Sequence, residues 1–201
     1  CCGSEIDIPF GTQIGMDIDG EHRDDYNGYS VSYSDDGNRV AIGAIQNDNI
    51  QGNGGGTSYP GHVRIFEETN GSWNQVGNDI DGPSGQTVYS GYSISLSSDG
   101  NIVAIGSRGN SNYSSCVRVY EFDGVDWNQI GLDVPGAMLE SDVAVDLSDN
   151  RQYLVVGFKN WFSNNGNVKL YNWNNITSAW DQLFTFTGTG GQMAGHSVAI
   201  N

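Results

Sequence analysis

The chain has 201 residues, of which 24 are acidic and 8 are basic, so its formal net charge at pH 7 is −16. This surplus of negative charge argues against binding to nucleic acids or anionic membrane surfaces, which are themselves negatively charged. No apolar stretch approaches the length of a membrane span, and 29 glycines with 37% hydrophobic residues suit short strands and turns better than helices.

In chain order, the first recognisable element is the segment GTQIGMDI at 11–18, which returns later as WNQVGNDI, WNQIGLDV and WDQLFTF. Its glutamine stands at Gln13, Gln75, Gln129 and Gln182. The copies therefore lie roughly 50 to 60 residues apart, and the chain is an internal repeat. The longest interval contains the glycine- and asparagine-rich tract 46–60, which is typical of an inserted loop.

Three other phrases recur in fixed order between these copies. The first alternates serine with larger residues, as in GYSVSYS, GYSISLS, DVAVDLS and GHSVAIN at 28–34, 91–97, 142–148 and 195–201. The second is a short apolar run, RVAIGA, IVAIGS or YLVVGF, and the third alternates again, as in GHVRIFE, SCVRVYE and GNVKLYN. Because alternation with period 2 predicts strands and Asp-Gly predicts tight turns, each repeat predicts four antiparallel strands.

Four antiparallel strands in a repeat of this length predict an all-β fold, a β-propeller built of four-stranded blades. We expect a single propeller domain, or a fragment of one, over 1–201. It would hold about three complete blades plus partial blades at both ends. The predicted units are a last strand of a preceding repeat at 11–20, repeats at about 21–80, 81–134 and 135–187, and a partial repeat at 188–201.

The faces of the predicted strands support stacked blades. In the first strand Tyr29, Val31 and Tyr33 alternate with Ser30 and Ser32. A blade would thus have one bulky face and one small-residue face, which interdigitate with those of its neighbours.

Three blades and two fractions do not close a ring, and an open ring leaves strand edges unpaired. The stop in mid-repeat favours a protein that continues beyond both ends. The alternatives are copies that complete one another, and pairing of 11–18 with 196–200 into a thin fourth blade.

The residues GYSVSYSDDGNRVAIGA, followed by GHVRIFE, resemble the FG-GAP repeats of integrin α-subunit propellers. The resemblance extends from about residue 11 to residue 201 and implies a propeller that serves recognition at a cell surface. FG-GAP blades that bind Ca²⁺ place a D-x-D-x-D-G type loop between their first two strands. Here SDDGN, SSDGN and SDNRQ are too short to wrap an ion, so that calcium site does not carry over and no cofactor is expected.

Two acidic pairs are candidate cation ligands, Asp17 with Asp19 and Asp79 with Asp81. In each pair the two side chains are expected to point to the same side, although acidic caps of a solvated turn are the plainer interpretation. The histidines belong to no metal-binding motif, and the place of His62 is taken by Cys116 and Asn167 in the other repeats. No histidine is therefore predicted to be a ligand.

Aromatic residues offer two kinds of candidate. Trp161 and Phe162 lie outside the repeat pattern, in a loop, and are candidate ligand-binding residues unless the next blade buries them. The recurring Trp73, Trp127 and Trp180 are predicted to be packing anchors between blades rather than platforms for sugar rings.

Glycosylation sequons occur at Asn70, Asn112 and Asn175, and the first and last of these fall in the turn before a fourth strand. No nucleophile elbow or other catalytic motif is present, so the chain is not expected to be an enzyme. A set of acidic residues could still converge in space as a glycosidase would require: Glu21, Asp24, Asp25, Glu67, Glu68 and Glu140.

Three functions follow from these patterns. The first is a non-catalytic recognition or adhesion module, secreted or exposed on a cell or virion surface, that binds protein or carbohydrate through propeller loops. The second is a structural subunit of an extracellular filament, sheath or virion appendage that neighbouring chains complete by strand addition. The third is a propeller glycosidase or lyase, which the absence of a catalytic motif disfavours.

Overall fold

The computed structural model describes residues 11–48, 58–110, 112–139, 141–160, 165–189, 191 and 194–201, and of residues 137–139, 141 and 160 it describes the backbone alone. Within these ranges every regular element is a β-strand. No helix of the described residues is long and apolar enough to cross a membrane.

The strands form three antiparallel sheets, here called blades 1, 2 and 3. Blade 1 contains β1 (Asn27–Tyr33), β2 (Arg39–Ala44), β3 (His62–Thr69), β4 (Ser72–Gln75) and β5 (Ile80–Asp81). Blade 2 contains β6 (Ser90–Leu96), β7 (Ile102–Ser107), β8 (Ser114–Phe122), β9 (Trp127–Gln129) and β10 (Val134–Leu139). Blade 3 contains β11 (Ser141–Leu147), β12 (Tyr153–Asn160), β13 (Asn167–Asn174) and β14 (Ala179–Thr187).

Each sheet is an up-and-down meander, and β6 packs between β1 and β11, the other two first strands. In blades 1 and 2 the last two strands are two pieces of one fourth strand, so each sheet is a four-stranded meander. Stacked four-stranded meanders whose first strands lie side by side are the blades of a β-propeller. The predicted fold class is confirmed.

The repeated glutamine explains why the fourth strand of blades 1 and 2 is split into two pieces. Gln75 donates from Nε2 to Asp79 Oδ1 at 2.6 Å, and Gln129 donates to Asp133 Oδ1 at 2.9 Å. Each amide thus bridges a bulge between the two pieces of the strand. In blade 3 the partner of Gln182 is Thr185, and β14 is continuous.

The turn between the first two strands is held by its own side chains. Ser34 donates to Asp36 Oδ1 at 2.7 Å, and the same oxygen accepts the backbone N–H of Asn38 at 3.0 Å. These hydrogen bonds lower the pKa of Asp36. The carboxylate serves as an internal brace of the hairpin.

The blades pack as the alternating faces predict. The core between blades 1 and 2 combines small and medium residues of blade 1 with bulky residues of blade 2: Ala41, Val63, Ile65 and Ile80 with Leu96, Val103, Ile105 and Trp127. A corresponding core joins blade 2 to Val145, Leu154, Val156 and Phe158 of blade 3. The packing that the residue sizes predict is therefore present at both junctions.

Serines on the small face bind the next blade. Ser30 donates to the carbonyl oxygen of Gly91 at 2.6 Å, and Ser32 Oγ accepts the N–H of Leu96 at 2.9 Å. One blade further on, Ser95 Oγ accepts the N–H of Leu147 at 3.0 Å and donates to Asp146 at 2.8 Å. The serines thus satisfy polar groups at a junction that is otherwise apolar.

The two terminal segments lie against the outer blades without forming strands, so the strands predicted within 11–20 and 195–201 are absent. Residues 11–20 contact blade 1, where Asn27 donates to the carbonyl of Ile18 at 2.9 Å. The N–H of Ile200 donates to Asp146 Oδ2 of blade 3 at 2.9 Å. Much of the bulky face of β1 stays exposed, with 45 to 55% of Tyr29, Val31 and Tyr33 accessible to solvent.

Asparagine in place of Asp99 is expected to lower the free energy of unfolding at pH 7 by less than about 1 kcal/mol, because 43% of the Asp99 side chain is exposed and solvent screens its charge. Burial alone would raise the pKa of Asp99, but hydrogen bonds from Ser97 and Asn101 and the charge of Arg151 lower it below 3.8. The ionised carboxylate therefore stabilises the fold above the unfolded pKa, and this contribution is lost as the pH falls through the folded pKa.

The D99N variant should consequently lose less stability than the wild type between about pH 5 and pH 3, as urea unfolding at several pH values would measure. Asp35→Asn, in the sister turn at an exposed position, is the matched control. An unchanged acid dependence in D99N would contradict the proposed role of Asp99.

Candidate functional site

The structure describes most of the predicted site residues but not all of them. Trp161, Phe162 and Glu140 lie outside the described residues. The three sequon asparagines Asn70, Asn112 and Asn175 are all exposed, and Asn70 and Asn175 occupy the turns before β4 and β14. Their glycosylation stays a prediction.

The two residues of the first acidic pair make different contacts. Asp17 accepts from Gln13 Nε2 at 2.8 Å, in the same manner as Asp79 from Gln75. Asp19 contributes its backbone carbonyl, which accepts from Arg64 at 2.6 Å. Among the described residues a single group of three or more potential metal ligands comes together, and Asp79 is its one member from the predicted pairs.

That group consists of Glu21, His62 and Asp79, here called the His62 cluster. Its ligand atoms all lie within 4.8 Å of one another. His62 Nδ1 is 3.7 Å from Glu21 Oε2 and 3.9 Å from Asp79 Oδ2. Burial lowers the pKa of His62 and so favours the neutral imidazole, although the negative charge of Asp79 acts in the opposite direction.

Three chain segments supply the cluster: the segment before β1, the first residue of β3, and the bulge between β4 and β5. Asn47 lies beside it and donates from Nδ2 to Glu21 and Asp25 at 3.4 and 3.3 Å. The carboxylates of Glu21 and Asp25 thus lie close together, as two of the acidic residues considered for a glycosidase would. Glu67 lies elsewhere and pairs with Arg39.

One of the three repeated tryptophans, Trp127, anchors neighbouring blades, and Trp73 anchors the segment 11–20 to blade 1. Trp73 donates from its indole N–H to the carbonyl of Ile14 at 3.1 Å, and Trp127 donates to the carbonyl of Val76 at 2.8 Å. Trp180 differs, because its buried Nε1 has no hydrogen-bond partner among the described residues. This tryptophan lies beside an open groove.

The groove has a volume of about 280 Å³ and lies between blades 2 and 3. It is lined by Ile102, Glu121, Ile130, Asn150, Arg151, Gln152, Trp173, Asn175 and Trp180. The rings of Trp173 and Trp180 are 5.1 Å apart and tilted by 55°. Aromatic faces bordered by polar groups are characteristic of ligand sites.

The junction between blades 1 and 2 shows what closes the corresponding space there. Arg39 lies over the ring of Phe122, with 5.2 Å from Cζ to the ring centroid. Its guanidinium donates to Glu67 at 2.9 Å, to the Gly100 carbonyl at 3.1 Å and to Asn101 Oδ1 at 2.7 Å. Only 15% of the Arg39 side chain is exposed.

The groove is open because the residue equivalent to Arg39 is Ile102. Arg39 pairs with Glu67 in the strand register, and Ile102 pairs in the same way with Glu121. The other partners of Arg39 also have counterparts: Arg151 for Gly100, Gln152 for Asn101 and Trp173 for Phe122. The groove therefore has a counterpart for each group that contacts the guanidinium of Arg39, but Ile102 provides no guanidinium to fill it.

Arg151 adds a further departure from the repeat. It adopts φ = +61°, in the left-handed region where the two sister turns have glycine. Such a conformation is unfavourable for a residue with a side chain. The guanidinium of Arg151 pairs with Asp99 at 3.2 Å, which neutralises its charge at the mouth of the groove.

Comparisons with known proteins bear on the fold. No protein-family model matches the chain, and no curated protein matches it in sequence. A solved protein from Lactobacillus plantarum is similar with a TM-score of 0.54 and 16% identity, over 82% of this chain and 42% of that one. A hypothetical selenium-binding protein from Sulfolobus tokodaii follows with a TM-score of 0.50 and 12% identity, over 81% and 43%.

The β-propeller domain of the Trilobed protease from Pyrococcus furiosus, described as having an open velcro topology, matches with a TM-score of 0.45 and 12% identity over 81% of this chain and 42% of that one. The chain thus spans less than half of the length of these three structures. At identities of 12 to 16% the likeness concerns the fold alone.

Proposed function

We propose that this chain is a non-catalytic recognition module, exposed outside a cell or on a surface, that binds a protein partner through the groove between blades 2 and 3. The groove would receive an arginine side chain of that partner. The single observation that carries this proposal is the internal equivalence of Ile102 and Arg39.

The contacts at the two junctions indicate how such an arginine would be held. Trp173 offers a ring where Phe122 stacks on Arg39, and Glu121 offers a carboxylate where Glu67 accepts from it. Cation–π stacking and charge-assisted hydrogen bonds are the interactions that arginine makes best. Within the described residues the carboxylate of Glu121 has no hydrogen-bond or ion-pair partner, so it is available to a ligand.

Gln152 has its amide nitrogen engaged and its oxygen available. Its Nε2 donates to Asn172 Oδ1 at 2.7 Å and to the Trp173 carbonyl at 2.8 Å. These bonds orient the amide and leave Oε1 as an acceptor, as Asn101 Oδ1 is for Arg39. The net charge of −16 also favours a basic partner over an acidic one.

The resemblance to FG-GAP repeats supports a recognition role at a surface. A guanidinium receptor favours a protein ligand over a carbohydrate, because neutral sugars do not have the positive charge that Glu121 would neutralise. No catalytic step is needed for this role.

Ile102→Arg is expected to abolish binding of a blocked arginine peptide, such as acetyl-Gly-Arg-Gly-amide, while the fold is retained. The new side chain would occupy the groove as Arg39 occupies its counterpart. Glu121→Gln should weaken binding roughly 5- to 10-fold, because a charge-assisted hydrogen bond is lost. Titrations followed through the indole N–H signals of Trp173 and Trp180 would measure both effects.

Two controls make this test specific. The same peptide with citrulline in place of arginine keeps the shape and removes the charge, and Asp35→Asn removes one carboxylate that does not line the groove. Arginine and citrulline peptides that bind equally, or an I102R variant that binds as the wild type does, would overturn the proposal.

A second candidate is a structural subunit completed by neighbouring chains, and the exposed bulky face of β1 favours it. Val31 and Tyr33 occupy the positions that Ile94 and Leu96 of blade 2 direct toward blade 1. A neighbouring copy that covered this face would bury them. Sedimentation velocity over a range of concentrations separates a monomeric module from such an assembly.

A further inference from the structure

We infer that the His62 cluster is a binding site for a divalent transition-metal ion, with Zn²⁺ as the best match to its ligands. The site lies on blade 1, remote in the chain from the groove of the proposed function, and does not depend on it. The ligands would be His62 Nδ1 and one carboxylate oxygen each from Glu21 and Asp79.

The first argument is the unsatisfied histidine. The side chain of His62 is fully buried, at 0% exposure, and neither ring nitrogen has a hydrogen-bond partner among the described residues. A buried polar nitrogen without a partner is costly and rare. Coordination of a cation by Nδ1 would remove part of this cost.

The second argument is the set of distances. Separations of 3.7 and 3.9 Å from Nδ1 to the two carboxylates exceed the 2.7 to 3.2 Å of a hydrogen bond. Two ligands of one cation with bonds of about 2.1 Å lie roughly 3.0 to 3.5 Å apart. The two distances from Nδ1 thus exceed this ligand spacing by less than 1 Å, and all the ligand atoms lie within 4.8 Å of one another.

The third argument is the missing counter-charge, which the sister repeat makes visible. In blade 2 the aspartate equivalent to Asp79 is Asp133, and Arg118 holds it with two hydrogen bonds of 3.0 and 2.7 Å. In blade 1 the equivalent Arg64 donates instead to the Asp19 carbonyl at 2.6 Å and to Asn27 at 3.3 Å. Asp79 thus faces Glu21 and His62 without the arginine that neutralises its counterpart.

The donor set selects the class of metal. One imidazole nitrogen and two carboxylate oxygens suit Zn²⁺ and similar first-row ions, whereas Ca²⁺ and Mg²⁺ prefer oxygen ligands only. Three protein ligands also leave at least one coordination position open. The bound ion would join the segment before β1 to blade 1.

The test is calorimetric titration of the metal-stripped chain with ZnCl₂ and, separately, with CaCl₂. We expect one Zn²⁺ site per chain, and binding of Ca²⁺ at least 10-fold weaker. Asp79→Asn and Glu21→Gln should each weaken Zn²⁺ binding at least 10-fold, and so should His62→Asn, which installs the residue found at this place in blade 3.

Asp17→Asn is the matched control. Asp17 holds the same place in its repeat as Asp79 and also accepts a hydrogen bond from a glutamine, and its replacement removes the same charge. It should leave Zn²⁺ binding unchanged. A Zn²⁺-dependent shift of the His62 Nδ1 resonance would report the ligand atom directly, independent of affinity.

Glu21→Gln keeps the test decisive if the buried variants fail to fold, since 38% of the Glu21 side chain is exposed. Zn²⁺ binding that survives Glu21→Gln unchanged, or that Asp17→Asn weakens equally, would overturn the inference. Failure of this site would leave the proposed groove untouched, because Ile102 and Glu121 belong to another junction.

Discussion

Replacing Gly43 by alanine is expected to lower the free energy of unfolding by about 3 kcal/mol. A Cβ atom at this position would lie 2.5 Å from the carbonyl oxygen of Gly91 and 2.7 Å from Ser30 Oγ. Both neighbours belong to the junction of blades 1 and 2, where Ser30 donates to that same carbonyl. The methyl group would therefore push two backbones apart and break the bond between them.

Gly106→Ala is the comparison that isolates the cause, because Gly106 holds the same place in β7. Its added Cβ would meet the side chains of Ser93 and Val143 at 2.6 and 2.7 Å, rather than backbone. Side chains can move, so a loss of about 1 kcal/mol is expected. Urea unfolding of the two variants measures both values, and equal losses would contradict this account of the junction.

Gly77→Ala is expected to destabilise the protein by about 3 kcal/mol, for two reasons that a second variant separates. Gly77 has φ = +72°, which is unfavourable for alanine, and its added Cβ would lie 2.7 Å from Cδ1 of Trp127. The clash would displace the indole whose N–H donates to Val76. Gly37, with φ = +71° and no neighbour within 4 Å, carries the backbone cost alone.

Gly37→Ala should therefore cost only about 1 kcal/mol. In addition, Gly77→Ala should alter the indole N–H signal of Trp127, whereas Gly37→Ala should not. If the two variants lose the same stability, Trp127 does not anchor the blades as proposed, and a role of the repeated tryptophans in ligand binding would gain support.

The sequence predicted the strands and their order because the signals for them are local. Alternation of Tyr29, Val31 and Tyr33 with serines, and the Asp-Gly turns, depend on residues a few positions apart. The repetition of these signals predicted the blades and the packing of bulky on small faces. The braces of the turns and bulges also come from residues two to four positions apart.

Some assignments made from the sequence changed their meaning in the structure. The pairs Asp17 with Asp19 and Asp79 with Asp81 share a sequence spacing, but Asp79 alone belongs to a group of potential metal ligands among the described residues. His62 was not predicted to be a ligand, because Cys116 and Asn167 replace it in the other repeats. The structure brings His62 together with Glu21 and Asp79, a grouping that a comparison of the repeats alone does not reveal.

The sequence alone therefore determined the repeat, the strands of the three blades, the turns between them and the propeller fold, since each depends on local pattern. Tertiary structure decided the two candidate sites. The groove depends on Ile102 meeting Gln152 and Trp173 of the next blade, and the His62 cluster joins Glu21, His62 and Asp79 from three segments. Contacts across such separations are set by how the blades stack, and no spacing within one repeat encodes that arrangement.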